Sequence, residues 1–396
     1  MIRYLEKDEY GTCIPLWKEA FPDDSEEFLE YYFGKKIMGS RVLVKEDEDG
    51  KMLTMAHLNP YHVMVGVREY DLPYIVGVAT AADSRHQGHM RDLLLKMLKD
   101  MHDSGLPFCY LMPASPEIYR PFGFVYIFDQ PVWKEELAVD SGNEALEKIN
   151  LRLDRDNGEN AAEGQKSVIG PEYLACWINH WLQKRYEVYA KRCPDYLDML
   201  QAELDSEDGC VTGYLDKQGQ MAALQAFWGM EKREQRFLYC KEDAWLRAAD
   251  PDMPEKPAIM ARITDVATMA ESISVNEDCP CTGMEVLVRI KDRLIGGNNG
   301  LWRWNLDAEG SRLQRVLTYG DGKGTSSDGA MSSAGALPSA DLLTSTEVLE
   351  ITVEQLTTWL FGYRPLDEIL EEEGEDPPFW WQYIKPLQGV FLDEIV

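Results

Sequence analysis

Apolar positions along the chain keep two periods and switch between them in a set order. From Met90 they fall at Met90, Leu93, Leu94, Met97, Leu98 and Met101, the i, i+3, i+4 spacing of a helix with one buried face. Just upstream, Tyr74 to Thr80 is rich in Ile and Val and bounded by Pro73, which predicts a strand. The polar turn Ala81 to His89 joins the two. Further strands are predicted at about residues 2–5, 41–45, 51–58, 61–67 and 108–112. Helices are predicted at about 11–20 and, behind a cap formed by Asp24 and Glu27, through Phe28, Tyr31, Tyr32 and Phe33. Helix, strands, helix, strand is the order of a mixed sheet with helices on its faces.

A weaker version of the pattern follows from Trp133 to about Pro257. It has a polar loop at 152–166, helices at 171–182 and near 195–204, and a hairpin of Cys210 to Leu215 with Met221 to Trp228. No Arg-x-x-Gly turn precedes an amphipathic helix there, so no second cofactor site is expected. The stretch Asp250 to Pro257 is Pro-rich and charged, as linkers are. A last unit starts at Met260 and carries strands near 284–291 and 301–306 and a helix over 352–361. Inside it, Gly320 to Ser339 has ten Gly or Ser in twenty positions and reads as a flexible insertion without catalytic duty.

The first turn carries the chemistry. It delivers the backbone into a helix N-terminus, where unpaired N–H groups and the helix dipole favour an anionic oxygen. Gly88 lets that anion approach without a Cβ in the way, and Arg85 and Arg91 add countercharge. Taken alone, such a turn is as often a plain loop. The strand at 108–112 then runs into Pro113-Ala114-Ser115-Pro116-Glu117-Ile118-Tyr119-Arg120-Pro121-Phe122-Gly123-Phe124, where Ser115 and Pro116 start a helical turn that Pro121 stops. Tyr119 then sits on a short anchored element, either as a packed ring or as a proton donor.

Composition narrows the partners. The net charge of −29 disfavours nucleic acid and anionic membranes and favours cationic partners. Seven acids in the ten positions from Asp367 to Asp376 read as a solvated loop. Eight cysteines without a Cys-x-x-Cys pair, and no signal peptide at the start, fit a reduced cytoplasm. Cys279-Pro280-Cys281 lacks nearby histidines, so no metal is expected. No apolar run of about 18 residues suggests a membrane helix. His57 and His62 flank Asn59-Pro60 and are candidate bases lining an acceptor cleft, while His86 and His89 lie in the turn and read as solvent-facing.

The Arg-x-x-Gly turn followed by Ile-Tyr-x-x-Phe-Gly-Phe resembles the Eis-type (enhanced intracellular survival) GNAT acetyltransferases, and the resemblance extends through Met260 to Val266, Leu356 to Tyr363 and Gly389 to Val396. It implies an α+β fold of mixed sheets in three parts: a catalytic GNAT domain over 1–132, a degenerate GNAT-like domain over 133–257, and a sterol-carrier-protein-2-like domain over 258–396. It implies acetyl-CoA as co-substrate, held by the backbone of Val78, Ala79 and Thr80, by Arg85, His86, Gln87, Gly88, His89, Met90 and Arg91, and by Ala114 and Ser115. Tyr119 becomes the general acid and the α-carboxylate of Val396 the general base. The acceptor implied is a cationic amine, either a polyamine or aminoglycoside-like molecule or a lysine side chain. A homo-oligomer, hexameric in that family, is implied as well. Relatives often end in an aromatic residue, and Val396 departs from that. The alternative is a non-catalytic binder of apolar ligands or a scaffold with a vestigial GNAT domain, against which Arg85, Gly88 and Tyr119 stand intact.

Overall fold

In the computed structural model, which describes residues 1–130, 135–137, 146–155, 169–230, 232–248, 256–316 and 341–394, strands β1 (Ile2–Tyr4), β2 (Arg41–Glu46), β3 (Met52–Val65) and β4 (Arg68–Thr80) each pair antiparallel with the next. The break predicted at Asn59-Pro60 does not occur. β3 runs through it because Pro60 faces Pro73 across the ladder, and two residues without N–H fit opposite one another at a non-hydrogen-bonded position. Side chains of β2 alternate between two cores. Val42 and Val44 meet α1 (Ile14–Ala20) and α2 (Glu26–Gly34), while Leu43 meets α3 (His89–Asp103).

The helices follow the apolar spacing with local corrections. In α3, Leu93, Leu94, Met97, Leu98 and Met101 are buried, as their period requires. The cap of α2 is Ser25, whose hydroxyl accepts from the Phe28 N–H at 3.0 Å. Asp24, the predicted cap, instead accepts from the Trp17 indole N–H at 2.7 Å. Residues Lys7–Cys13 form a 3-10 turn, so the first α-helix starts only at Ile14. After α3 come β5 (Phe108–Leu111), the single turn α4 (Pro116–Tyr119) and β6 (Val125–Gln130).

The second unit contains β7 (Glu135–Leu137), β8 (Glu147–Leu151), α5 (Pro171–Gln183), β9 (Val188–Ala190), α6 (Pro194–Ser206), β10 (Cys210–Leu215), β11 (Met221–Trp228), β12 (Glu234–Cys240) and β13 (Leu246–Ala248). Its sheet has the order β12-β11-β10-β8, all antiparallel, and the β10–β11 hairpin has the predicted bounds. Most of the predicted polar loop at 152–166 lies outside the described residues, as do most of the linker before residue 256 and all of 320–339. The last unit contains β14 (Lys256–Ile263), α7 (Val266–Ala270), β15 (Ser274–Val275), β16 (Gly283–Lys291), β17 (Gly300–Asp307), β18 (Ser311–Arg315), β19 (Leu342–Thr352), α8 (Val353–Leu360), α9 (Leu366–Glu371), β20 (Ile384–Lys385) and β21 (Val390–Phe391). The acidic run is not simply a loop. Its first half is α9, which buries Leu366, Ile369 and Leu370 and turns Asp367, Glu368 and Glu371 outward.

Three strands from the later units join the first sheet. β14 lies between β5 and β6, with Met260 opposite both Leu111 and Tyr126. β9 pairs with β3 from Val63 to Val65, and β21 pairs with β9. β2 follows the same edge of β3 only as far as Leu58. Asn59, Pro60 and Tyr61 are left between the two strands, and the edge opens there.

A buried ion pair fixes β14 in place. One Arg262 Nη donates to both carboxylate oxygens of Asp292 at 2.8 Å, and the other donates to the Phe122 carbonyl at 2.9 Å. Burial alone would raise the Asp292 pKa, but the Arg262 charge and hydrogen bonds hold it below the usual carboxylate range. Gly123, at φ +78°, gives the guanidinium room: a Cβ there would come within 2.2 Å of it. Removing one member of a buried pair strands the other. Arg262→Ala is therefore expected to lower stability by about 3–5 kcal/mol, read as an earlier midpoint in urea unfolding; Arg262→Met with Asp292→Leu should lose less.

Candidate active site

β4 and β5 share a single register pair, Tyr74 opposite Tyr110, and then part. β4 continues to Thr80 with only β3 beside it, so the edge facing β5 keeps free N–H and C=O groups. A register shift between Met55 and His57 marks a bulge in this stretch. Gly77 lies there at φ +59°, and a Cβ on it would come within 2.4 Å of the Trp17 ring. Only glycine fits. Val78, Ala79 and Thr80 follow the bulge; the Ala79 carbonyl accepts from the Thr54 hydroxyl at 2.7 Å.

The turn beyond β4 closes on itself through side chains. Arg85 Nε donates to the Thr80 carbonyl at 3.1 Å, and the Gln87 amide donates to the Asp83 carbonyl at 3.1 Å. Among the described residues no backbone N–H from Arg85 to Arg91 donates to the protein, and the first bond of α3 is Asp92 N–H to the Gly88 carbonyl at 3.1 Å. Gly88, at φ +83°, has nothing within 4 Å of where a Cβ would stand. His86, Gln87 and Arg91 are exposed, and His89 and Met90 are half-buried. This is a row of backbone donors at the positive end of a four-turn helix, suited to a phosphate.

Tyr119 lies beside the splay. Ser115 occupies the N-cap position of α4 but its hydroxyl makes no capping bond, so the turn is held by Pro116 and Pro121 rather than by the predicted cap; Ala114 is exposed. The Tyr119 ring meets Phe124 edge-on at 6.0 Å, and among the described residues its hydroxyl has no hydrogen-bond partner. Burial pushes its pKa up to about 12. It is protonated at neutral pH and has a proton to give.

The opening on the β3 edge is a cleft of roughly 200 Å³ between the turn Lys36–Gly39 and α6, lined by Lys36, Pro60, Tyr61, Tyr196, Glu203 and Arg236 among others. His62 is there but exposed, with its ring against Asp71. His57 does not line the cleft. It is buried in a cage of Trp17, Tyr32 and Phe33, with Nδ1 at 3.0 Å from the Tyr32 hydroxyl and no partner for Nε2 among the described residues. Burial pushes its pKa down to about 3. It is a neutral core residue.

The C-terminal segment crosses the second unit to reach the splay. Phe391 packs against Trp181 and Tyr186, and Leu392 is fully buried. Asp393 and Glu394, which no sequence motif marks, are buried too. Arg192 donates to both, Arg236 pairs with Glu203 at 3.1 Å and approaches Asp393 at 3.8 Å, and the Tyr196 hydroxyl donates to Glu394 Oε1 at 3.2 Å. The Tyr196 ring that bonds Glu394 meets Tyr61 at 5.9 Å, Tyr61 meets Tyr74 at 6.3 Å, and Tyr74 meets Tyr110 at 5.4 Å. The tail thus arrives where β4 and β5 part. Val396 lies outside the described residues. Two acids in an otherwise apolar end were the available signal, but their partners stand about 200 residues upstream.

Residues 1–127 match the acetyltransferase (GNAT) domain. The protein is an acyl-CoA-dependent acyltransferase. No curated protein matches the sequence. Along the whole chain the acyltransferase has the fold of several solved structures. A probable N-acyltransferase from Enterococcus faecalis is 14% identical, with TM-score 0.70 and 99% of both chains covered. A GCN5-related N-acetyltransferase from Anabaena variabilis is 13% identical, with TM-score 0.70 and 99% of both chains covered. Eis1 from Mycobacterium abscessus is 12% identical, with TM-score 0.58, and 100% of this chain and 99% of that chain are covered. Such likeness carries the fold, a tandem GNAT-like arrangement in mixed α/β sheets.

The acyltransferase's His57 bears on its acid stability. A histidine whose folded pKa lies below its unfolded value of about 6.5 leaves the unfolded chain with more bound protons, so stability falls as pH drops from about 6.5 toward 3. His57→Phe is expected to flatten this loss: the difference in thermal midpoint between pH 7 and pH 5 should be smaller than in the wild type. An equal difference in both proteins would refute the buried neutral imidazole.

Proposed function

We propose that the protein transfers the acetyl group of acetyl-CoA to a primary amine by direct attack. The observation that carries this reading is the meeting at the β4–β5 splay of three things: an anion-binding turn, a protonated phenol and the buried C-terminal segment. The pyrophosphate lies on the Arg85 to Arg91 main chain, with Arg85 and Arg91 as countercharge. The pantetheine arm pairs with the open edge at Val78, Ala79 and Thr80 and passes Ala114 and Ser115. Backbone groups beyond the Gly77 bulge hold and polarise the thioester carbonyl.

The amine nitrogen attacks that carbonyl, the C–N bond forms and the C–S bond breaks. Tyr119 gives its proton to the departing thiolate and regains one from the nitrogen. The α-carboxylate of Val396, the base that the resemblance implies, orients the amine. The last unit serves as the frame that delivers the tail, and its expected likeness to sterol carrier proteins is part of this reading. Amines are favoured as acceptors by the chain's acidity and by Glu203 and Tyr61 in the cleft, where a cation meets a carboxylate and an aromatic face.

Acetyl-CoA consumption with a panel of polyamine and lysine acceptors tests this. Tyr119→Phe is expected to lower kcat by about 10²–10⁴-fold while acetyl-CoA binding, followed by calorimetry, holds. A short tag appended after Val396 is expected to suppress turnover as well. Wild-type rates in both variants would defeat the mechanism, and failure of the unmodified protein to bind acetyl-CoA would defeat the assignment and favour a binding or scaffold role.

A further inference from the structure

Beneath the cleft the buried charges do not balance. Glu203, Asp393 and Glu394 are three carboxylates, and Arg192 and Arg236 are two guanidiniums, all of them at most 8% exposed. The nearest further cation is Lys36, but its ammonium donates to the Tyr61 hydroxyl at 2.7 Å and makes no ion pair among the described residues; burial lowers its pKa. A surplus negative charge in a low-dielectric interface is relieved by one proton. Glu394 is the member placed to take it. Its Oε1 accepts from Tyr196 and Arg192, and its Oε2 is buried with no partner among the described residues. Tyr196 bridges inside and outside: it lines the cleft on one side and hydrogen-bonds Glu394 on the other.

We propose that Tyr196 and Glu394 form a proton relay from the acceptor cleft, in which Tyr196 takes a proton from the incoming ammonium as it passes its own hydroxyl proton to the Glu394 carboxylate. This rests on the amine-acetyltransferase reading and adds to it the destination of the proton. Only N–H and O–H bonds change. The nitrogen loses one proton and becomes a nucleophile, Tyr196 ends as it began, and Glu394 gains one, which returns to solvent by the same route after product leaves. The relay meets a need that the tail alone does not, because an α-carboxylate with an ordinary pKa of about 3.5 is a weak proton acceptor at neutral pH.

The groups around Glu394 divide by how they titrate. Arg192 and Arg236 stay charged, and Asp393 beside it shares Arg192. Tyr61, Tyr74, Tyr110, Tyr196 and Tyr239 are all raised by burial and stay protonated. Across the cleft stand Glu203 and Lys36. Burial pushes Glu394 up to about 7, against the pull of Arg192 and with the help of Asp393. It is therefore a carboxylate that changes charge in the working range of a base.

The test uses the full chain with Glu394→Gln and Tyr196→Phe, each checked for fold by circular dichroism and thermal midpoint. In kcat/KM against pH, the wild type should show an acid limb near pH 7. That limb should be lost in Glu394→Gln, with a rate about 10²-fold lower at its plateau, and Tyr196→Phe should be slowed comparably with acetyl-CoA binding unchanged. Independently of turnover, pH-difference infrared spectra should show a carboxylic-acid band growing through pH 7 that Glu394→Gln lacks. An unchanged acid limb in the variants, or the absence of that band from the wild type, overturns the relay. If Glu394→Gln does not fold, the Tyr196→Phe rate and the wild-type spectrum decide. Failure of every amine to turn over would defeat the acetyltransferase reading, whereas a missing band defeats the relay alone.

Discussion

The separation of β4 from β5 after one shared pair is the constraint on which the rest of the molecule depends. Two parallel strands normally continue side by side, each satisfying the other's backbone. Here β4 stays bound only to β3, and its other edge is left with polar groups that must find a ligand or water. The bulge at Gly77 keeps this from being a simple loss of pairing. Trp17 fills the space a side chain would need, so α1 and the strand reinforce each other's position. On the far side of the gap, β5 is supported by β14, a strand drawn from a unit almost 150 residues downstream. A splayed sheet with both flanks held holds its shape without a ligand.

Holding it uses buried charge. Arg262 and Asp292 hold β14 against the Tyr119 segment, and Arg192 and Arg236 hold the tail between the first two units. Buried ion pairs are poor sources of net stability, because desolvation consumes most of the attraction. They are good at fixing one arrangement, since any shift leaves a charge unpaired in a medium that penalises it. Apolar packing alone would let β21 slide along β9. With Asp393 and Glu394 tied to guanidiniums, the register is set.

Sequence pattern made local structure legible and long-range structure much less so. The α3 stripe, the Gly88 turn and the β10–β11 hairpin all follow from periods and turn residues within twenty positions of one another, and each stands where its pattern puts it. The cap of α2 was misplaced by one residue because Asp24 has a better partner in the Trp17 indole, and no local rule reveals that. Asn59-Pro60 looked like a strand break, since a proline's partner across a ladder is not visible in its own neighbourhood. His57 had the strand position of a cleft residue, but the bulge opposite it and three aromatic rings enclose it in the core. Strand exchange was the least legible. The apolar pattern of β14 predicts a strand, yet nothing in it says which sheet receives the strand, and the carboxylates of the tail give no hint of arginines in the preceding unit.

Two protonatable groups near the splay have been moved in opposite senses relative to neutral pH. Burial among rings without a charged partner carries Tyr119 up to about 12, further into its protonated range. Burial beside another carboxylate, with one arginine shared between them, brings Glu394 up to about 7. The same physical cause, desolvation, makes the first a group that holds a proton until a strong base appears and the second a group that accepts one at working pH. A thiolate leaving group is such a base, and an ammonium entering the cleft is such a donor. The acid and base roles in the proposed transfer therefore need no pair of matched residues. They follow from burying a phenol and a carboxylate on two sides of one gap in a sheet.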